Sequence, residues 1–320
     1  MSSAQPRLDV ARSLSERRAD DAWTAPALPG LEFPGCIPRR VRRSEIEAYE
    51  ERLEFWDACT ETAWVCEPPV TAAHERPSRA LTALAERIAA VRGSPVTCFG
   101  SLSLILLDAA GAPRRVMQPD ESLYLRPVSA NLPHSGVMVV GEHDFPDVVL
   151  EVDHTTDARR GKLKLYEAWG FPEVWIQVPT APSPSRAKSR LPGLTIHLLE
   201  GGAYRVSSVS RAIPGWTADE IHAALDETAR SAKTLGVLER VGLTLGAREG
   251  TGPDDDPLLR SQRLTAQRQL LRRQAEHKFG RAAAAEFVRW LETETDPARL
   301  AEAGERIIDC ATVDGLPGDA

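Results

Sequence analysis

The stretch Pro146-Asp147-Val148-Val149-Leu150-Glu151-Val152-Asp153 constrains the fold more than any other part of the chain. Its valines and Leu150 mark a short strand of the kind buried inside a sheet. Side chains alternate along a strand, so Asp147, Val149, Glu151 and Asp153 share one face. Acids on one face of a buried strand cost free energy unless that face meets solvent, cations or a metal.

The neighbouring segments supply partners for those acids. Residues 96–107 read as a strand, and Asp108 to Gly111 supply a turn. Residues 115–125 read as the returning strand, with Pro119-Asp120 inside it. After the acidic strand, residues 161–169 predict a helix that carries Lys162 and Lys164 and turns Leu163 and Tyr166 toward the sheet. Hard divalent cations take carboxylate and carbonyl oxygens. Asp120 and Glu151 from adjacent strands, with the Val152 carbonyl, would give part of a magnesium shell. A lysine close by can position water and stabilise charge on a phosphorane. Each residue also has a plainer reading. Pro-Asp is a common turn dipeptide, Asp147 can cap its strand, and the two lysines can be solvated charges on a helix. The order acid, acid-bearing buried strand, lysine-bearing helix is the more specific signal.

The rest of the chain frames this centre. Residues 1–43 read as a poorly ordered leader, rich in Pro, Ser, Ala and charge. Ser44 and Glu47 suggest a capping box for a helix carrying Ile46, Tyr49, Leu53 and Trp56. Residues 62–70 read as a strand. Leu81, Leu84, Ala85, Ile88 and Val91 give a second helix its apolar face. Residues 173–178 form another strand, 180–192 a Pro/Ser/basic loop, and 194–199 with 203–209 a hairpin about Glu200-Gly201-Gly202. A helix is expected over 218–235. The expected division is a core domain over 44–245, a linker over 246–257 and a helical extension over 258–320.

With 320 residues, 42% hydrophobic and 27% charged, the chain has ordinary globular composition. No apolar run spans a bilayer, and Arg7, Arg12, Arg17 and Arg18 precede no apolar signal segment, so a cytoplasmic protein without membrane contact is expected. Cys36, Cys59, Cys66, Cys98 and Cys310 are scattered and read as reduced thiols. The net charge of −7 excludes a wholesale nucleic-acid coat protein but not local binding. Basic clusters stand at Arg39–Arg43 and along 260–281; each can equally be solvated surface.

At this point the residues resemble a known family. FPDVVLEVDHTTDARRGKLKLYEAWGFPEVWIQVP, over residues 145–179, is similar to the signature of the Uma2 family within the PD-(D/E)XK nuclease superfamily. Residues 52–77, 114–127 and 212–216 extend the likeness to roughly 44–225. The resemblance implies an α/β restriction-endonuclease-like core, a central mixed β-sheet flanked by helices; the amphipathic pattern beyond residue 257 adds the C-terminal helical extension. It implies Asp120 and Glu151 as metal ligands for Mg²⁺ or Mn²⁺ and Lys162 as a catalytic lysine displaced onto the helix. Lys164, Asp153, Asp147, His74 and Glu54 are accessory candidates. Superfamily analogy makes DNA the expected substrate, with Arg268, Arg272 and Arg273 as candidate phosphate contacts and a homo-oligomer as a candidate assembly. The chain departs from the pattern at Asp153, where the usual lysine is absent, and at Val178 before Pro179. A catalytically silent binding or assembly module is the alternative.

Overall fold

A computed structural model describes residues 30–317, apart from 50, 67–71, 101, 134–135, 183–185, 187–188 and 247–256. The described strands form two six-stranded mixed sheets. The first has the order β1-β3-β2-β6-β5-β8, built from Cys36–Arg40 (β1), Leu53–Asp57 (β2), Thr62–Cys66 (β3), Ser103–Leu107 (β5), Pro113–Met117 (β6) and Val137–Val139 (β8). The second has the order β12-β11-β10-β9-β7-β4, from Thr97–Phe99 (β4), Glu121–Tyr124 (β7), Val148–Val152 (β9), Glu173–Val178 (β10), Gly193–Glu200 (β11) and Ala203–Ser207 (β12).

The second sheet is the mixed central sheet expected of the core. β9 and β10 run parallel at its middle, and β9 pairs antiparallel with β7 on its other side. The alternation read from the sequence places Val148, Leu150 and Val152 on one face, against Leu81, Leu84 and Ile88 of the helix Ala72–Arg92 (α1). Trp216 and residues of Ala218–Asp226 (α3) and Ala232–Leu245 (α4) complete that layer. Val149, Val174 and Ile176 point to the other face. There they meet Leu165 and Tyr166 of Lys162–Trp169 (α2) together with Phe55, Leu104 and Met117 of the first sheet. The fold therefore has helices on one side of the central sheet, and α2 with a second sheet on the other.

Several expectations change. No helix spans 44–56: a 3-10 turn at Ile46–Ala48 leads into β2, and Glu45 at the turn's start makes no side-chain cap. Pairing with β3 on one side and β6 on the other overrides the helical period of Leu53 and Trp56. The leader expected over 1–43 contains β1, which pairs with β3; residues 1–29 lie outside the described residues. Each long strand expected at 96–107 and 115–125 is two strands in two different sheets. Pro119 has no N–H to continue a ladder, so the chain leaves the first sheet after Met117 and enters the second at Glu121. Asp120 thus sits at the crossover and not inside a strand. The helix expected over 218–235 is α3 and α4, separated at 227–231.

Most of the linker expected over 246–257 lies outside the described residues. Beyond it, Pro257–Phe279 (α5), Ala285–Thr293 (α6) and Pro297–Asp309 (α7) bury their own cluster about Leu271, Phe287, Trp290 and Leu300. No helix among the described residues is long and apolar enough to cross a membrane.

Candidate active site

Four elements deliver one polar cluster. β9 carries Glu151 on the face opposite Val148, Leu150 and Val152, and α2 begins with Lys162 over that face. β2 contributes Glu54, and the crossover contributes Asp120. Lys162 Nζ donates to Glu151 Oε2 at 2.7 Å and to the Gln118 carbonyl at 2.7 Å, and lies 3.4 Å from Glu54 Oε1. The other Glu151 oxygen, Oε1, accepts from the Tyr166 hydroxyl. Lys162 and Tyr166 can converge because residues four apart on a helix share a face. Asp120 Oδ2 accepts from the Val152 N–H at 2.7 Å, which ties the crossover to β9, and Oδ1 pairs with Arg52 at 3.0 Å.

Burial sets the electrostatics. Lys162 is 1% exposed and Glu151 2%. Burial opposes the lysine's charge, but Glu151, Glu54 and Asp120 outweigh it and hold the ammonium above its ordinary range. Burial, with Asp120 and Glu54 nearby, pushes the Glu151 carboxyl up although Lys162 pulls it down. Burial and the Glu151 charge likewise raise the Tyr166 phenol. Asp120 and Glu54 open on a cleft of 660 Å³, also lined by Arg52, Glu75, Arg79 and Glu121. Burial lifts Glu121 to about 6, against donation from Ser122 N–H and Thr82. Glu151 and Lys162 therefore stand behind a front of Asp120 and Glu54.

The carboxylate oxygens gathered here are of the kind that hard divalent cations take. Among the described residues no three His, Cys, Asp or Glu side chains converge as a ready-made metal cluster. Lys162 Nζ is the cation between the carboxylates in this state. The donors fit a magnesium-like ion in chemistry, provided that Lys162 yields Glu151 Oε2. The Val152 carbonyl, expected as a further ligand, accepts from His154 N–H at 2.9 Å.

Asp120, Glu151, Lys162 and Glu54 are brought together; the other candidates are placed elsewhere. Asp147 accepts from Leu125 N–H at 2.7 Å at the start of β9. Asp153 accepts from Ala158 N–H at 2.8 Å and pairs with Arg190 at 3.0 Å. Lys164 donates to the Gly30 carbonyl at 2.7 Å. The His74 side chain lies outside the described residues. On α5, Arg268 donates to the Glu294 carbonyl at 3.0 Å and Arg272 to Glu276 at 3.0 Å, while Arg273 is exposed. Sequence reasoning assigned no role to Arg52, Tyr166 or the Gln118 carbonyl. The four-residue spacing of Lys162 and Tyr166 was the available signal for one of them; the others depend on pairing across the fold.

Compared with known proteins, the chain matches over residues 43–223 the model of the Uma2 family, described as "Putative restriction endonuclease". A solved structure from Anabaena variabilis, titled "a putative nuclease belonging to DUF820", aligns at 11% identity with a TM-score of 0.35. That alignment covers 63% of this chain and 99% of the other. No curated protein matches the chain.

Proposed function

We propose, from the premise that the chain belongs to the Uma2 family, that it is a metal-dependent endonuclease hydrolysing phosphodiester bonds, with DNA as substrate. The observation that carries this reading is the buried Glu151–Lys162 pair set directly behind Asp120 and Glu54 at the floor of a cleft. A structural ion pair needs one carboxylate; here two carboxylates flank one ammonium, and the Asp120 charge acts on it as well.

Asp120 and Glu151 would hold magnesium or manganese. When bound, the ion polarises the phosphate and makes water a better nucleophile at neutral pH. The chain's own residues do the remainder. Lys162 keeps its proton and offers a preorganised positive charge to the phosphate oxygens as negative charge builds on them. Tyr166 holds Glu151 Oε1, so that only Oε2 engages the lysine. Glu54 holds Lys162 from the far side and gives it a partner if it leaves Glu151. Arg52 and Arg79 line the cleft itself and are the proposed first contacts with the substrate backbone. Arg273, and Arg268 and Arg272 where they can release their present acceptors, would extend that contact.

The test is cleavage of supercoiled and single-stranded DNA with magnesium or manganese, wild type beside Glu151→Ala and Lys162→Ala. Activity that needs metal and falls at least about 100-fold in both variants supports the reading. Equal activity in all three proteins rules out this site.

A second reading is a silent binding or assembly module. It is favoured by one observation: both oxygens of Glu151 already have donors within the chain. Calorimetric titration with manganese separates the two. Metal binding lost in Asp120→Ala and Glu151→Ala favours the enzyme, and no metal binding favours the module. Self-association through α5–α7 is proposed separately, and truncation after Gly246 tests it.

A further inference from the structure

Cys36 and Cys66 stand 30 positions apart in the sequence. β1 and β3 bring them into register as direct cross-strand partners. The Cys36 N–H goes to the Phe33 carbonyl at 3.2 Å and the Cys66 N–H to the Arg52 carbonyl at 3.2 Å, so the two do not exchange backbone bonds. Such a non-hydrogen-bonded pair brings antiparallel strands to a Cα separation of about 4.5 Å, within the range a disulfide spans. Their Sγ atoms are 3.6 Å apart, and both thiols are free. Closing to a bond of about 2.05 Å needs only side-chain rotation. Cys66 is buried and Cys36 half-buried, so an oxidant reaches Cys36 first.

We infer that Cys36 and Cys66 are a modification site: an oxidisable pair that takes a small peroxide and closes into a disulfide between β1 and β3. Cys36 Sγ attacks the peroxide, the O–O bond breaks, and the leaving hydroxide departs as water, giving a sulfenic acid. Cys66 Sγ then displaces the sulfenic oxygen as a second water. Two thiols and one hydrogen peroxide give one disulfide and two waters. The Cys66 thiol faces Glu54 Oε2 at 3.6 Å, so closure removes that S–H donor from a carboxylate that also faces Lys162. The link therefore reaches the cleft through one side chain. The hydrogen bond with Cys66, burial and the Glu54 charge hold the Cys36 thiol above its ordinary range, so sustained exposure to the oxidant is required. The site is independent of the nuclease reading.

The experiment treats the full-length protein with hydrogen peroxide, alkylates the remaining thiols and maps peptides by mass spectrometry. The expected product is a peptide pair joined through Cys36 and Cys66 with loss of two hydrogens, reversed by dithiothreitol. The melting temperature should rise by about 5 °C on oxidation, and neither Cys36→Ser nor Cys66→Ser should show the rise. The exposed thiol Cys59 reports that oxidant was sufficient. If Cys59 is consumed while Cys36 is alkylated, over-oxidised or linked elsewhere, the inference is overturned. The mapping needs no variant, so a Ser protein that fails to fold does not decide the result.

Discussion

Glu151 and Asp153 lie two residues apart, one inside β9 and one just past its end, and both are buried acids beside a basic side chain. Their surroundings differ. Glu151 meets Lys162 and Tyr166 of α2 and stands behind Asp120 and Glu54, which open to a cleft. Asp153 meets Arg190 and the Ala158 N–H, and Arg190 is spent further on the Thr156 and Asp153 carbonyls at 2.5 and 3.0 Å. The first acid shares one ammonium with other carboxylates; the second is closed by one guanidinium that pins two loops. Burial with an ion pair is therefore no mark of a reactive site. Surplus carboxylate beside a cleft is the mark, because surplus negative charge attracts a cation, and a bound cation in turn attracts a phosphate.

The sharpest break in that comparison is a paired isosteric substitution. Glu151→Gln should lower metal-dependent cleavage by about 1,000-fold while leaving the fold intact, because it removes a charge from the proposed metal set. Asp153→Asn should leave cleavage within about tenfold and act on stability. Comparable losses of cleavage in both would show that the two acids work as one site. The next effect is on folding. Arg190→Ala strands Asp153 without its cation and should cost about 3 kcal/mol, read by urea denaturation in EDTA. The loss should depend on pH. Burial lifts Asp153 from 3.8 to about 7, against the Ala158 N–H and Arg190. A folded-state value above the unfolded one gives stability fully present below about 4 and lost as pH rises through about 7. Arg190→Ala removes a stabiliser of the charged form, so its cost should grow from pH 5 to pH 8. A cost flat across that range would mean that Arg190 acts through its carbonyl contacts alone.

The two acids were equally legible in the sequence; their different fates were not. Alternation over 147–153 put both on one face, a local property of any extended chain with this pattern. The family likeness singled out Lys162 on the helix that follows. Arg190 belongs to a loop read only as Pro/Ser/basic, and nothing local says that it returns to Asp153. Glu54 was legible as an accessory acid through family likeness, though its setting was expected to be helical. Ile46, Tyr49, Leu53 and Trp56 do fit a helical period, but all of Leu53–Asp57 is buried between two neighbouring strands. Pro119 was noted as part of a Pro-Asp pair. Its larger effect, moving the chain from one sheet to the other and so placing Asp120 between them, follows from a missing N–H. That consequence appears only when both ladders are known.

A finer test asks what keeps the Glu151 side of the comparison open. Among the described residues Tyr166 has no counterpart beside Asp153, and its hydroxyl donates to the Glu151 oxygen that Lys162 does not use. Tyr166→Phe keeps the ring packed against Phe171 and removes only that donor. Leaving a buried acceptor short of a partner should cost about 1–2 kcal/mol of stability. If Tyr166 positions the carboxylate, cleavage should fall by roughly tenfold, expressed in turnover and in the manganese concentration needed, with substrate affinity unchanged. If the hydroxyl serves folding alone, the stability loss should stand with turnover and metal requirement unmoved. That outcome would make Glu151 as closed a residue as Asp153, with Lys162 as its only functional partner.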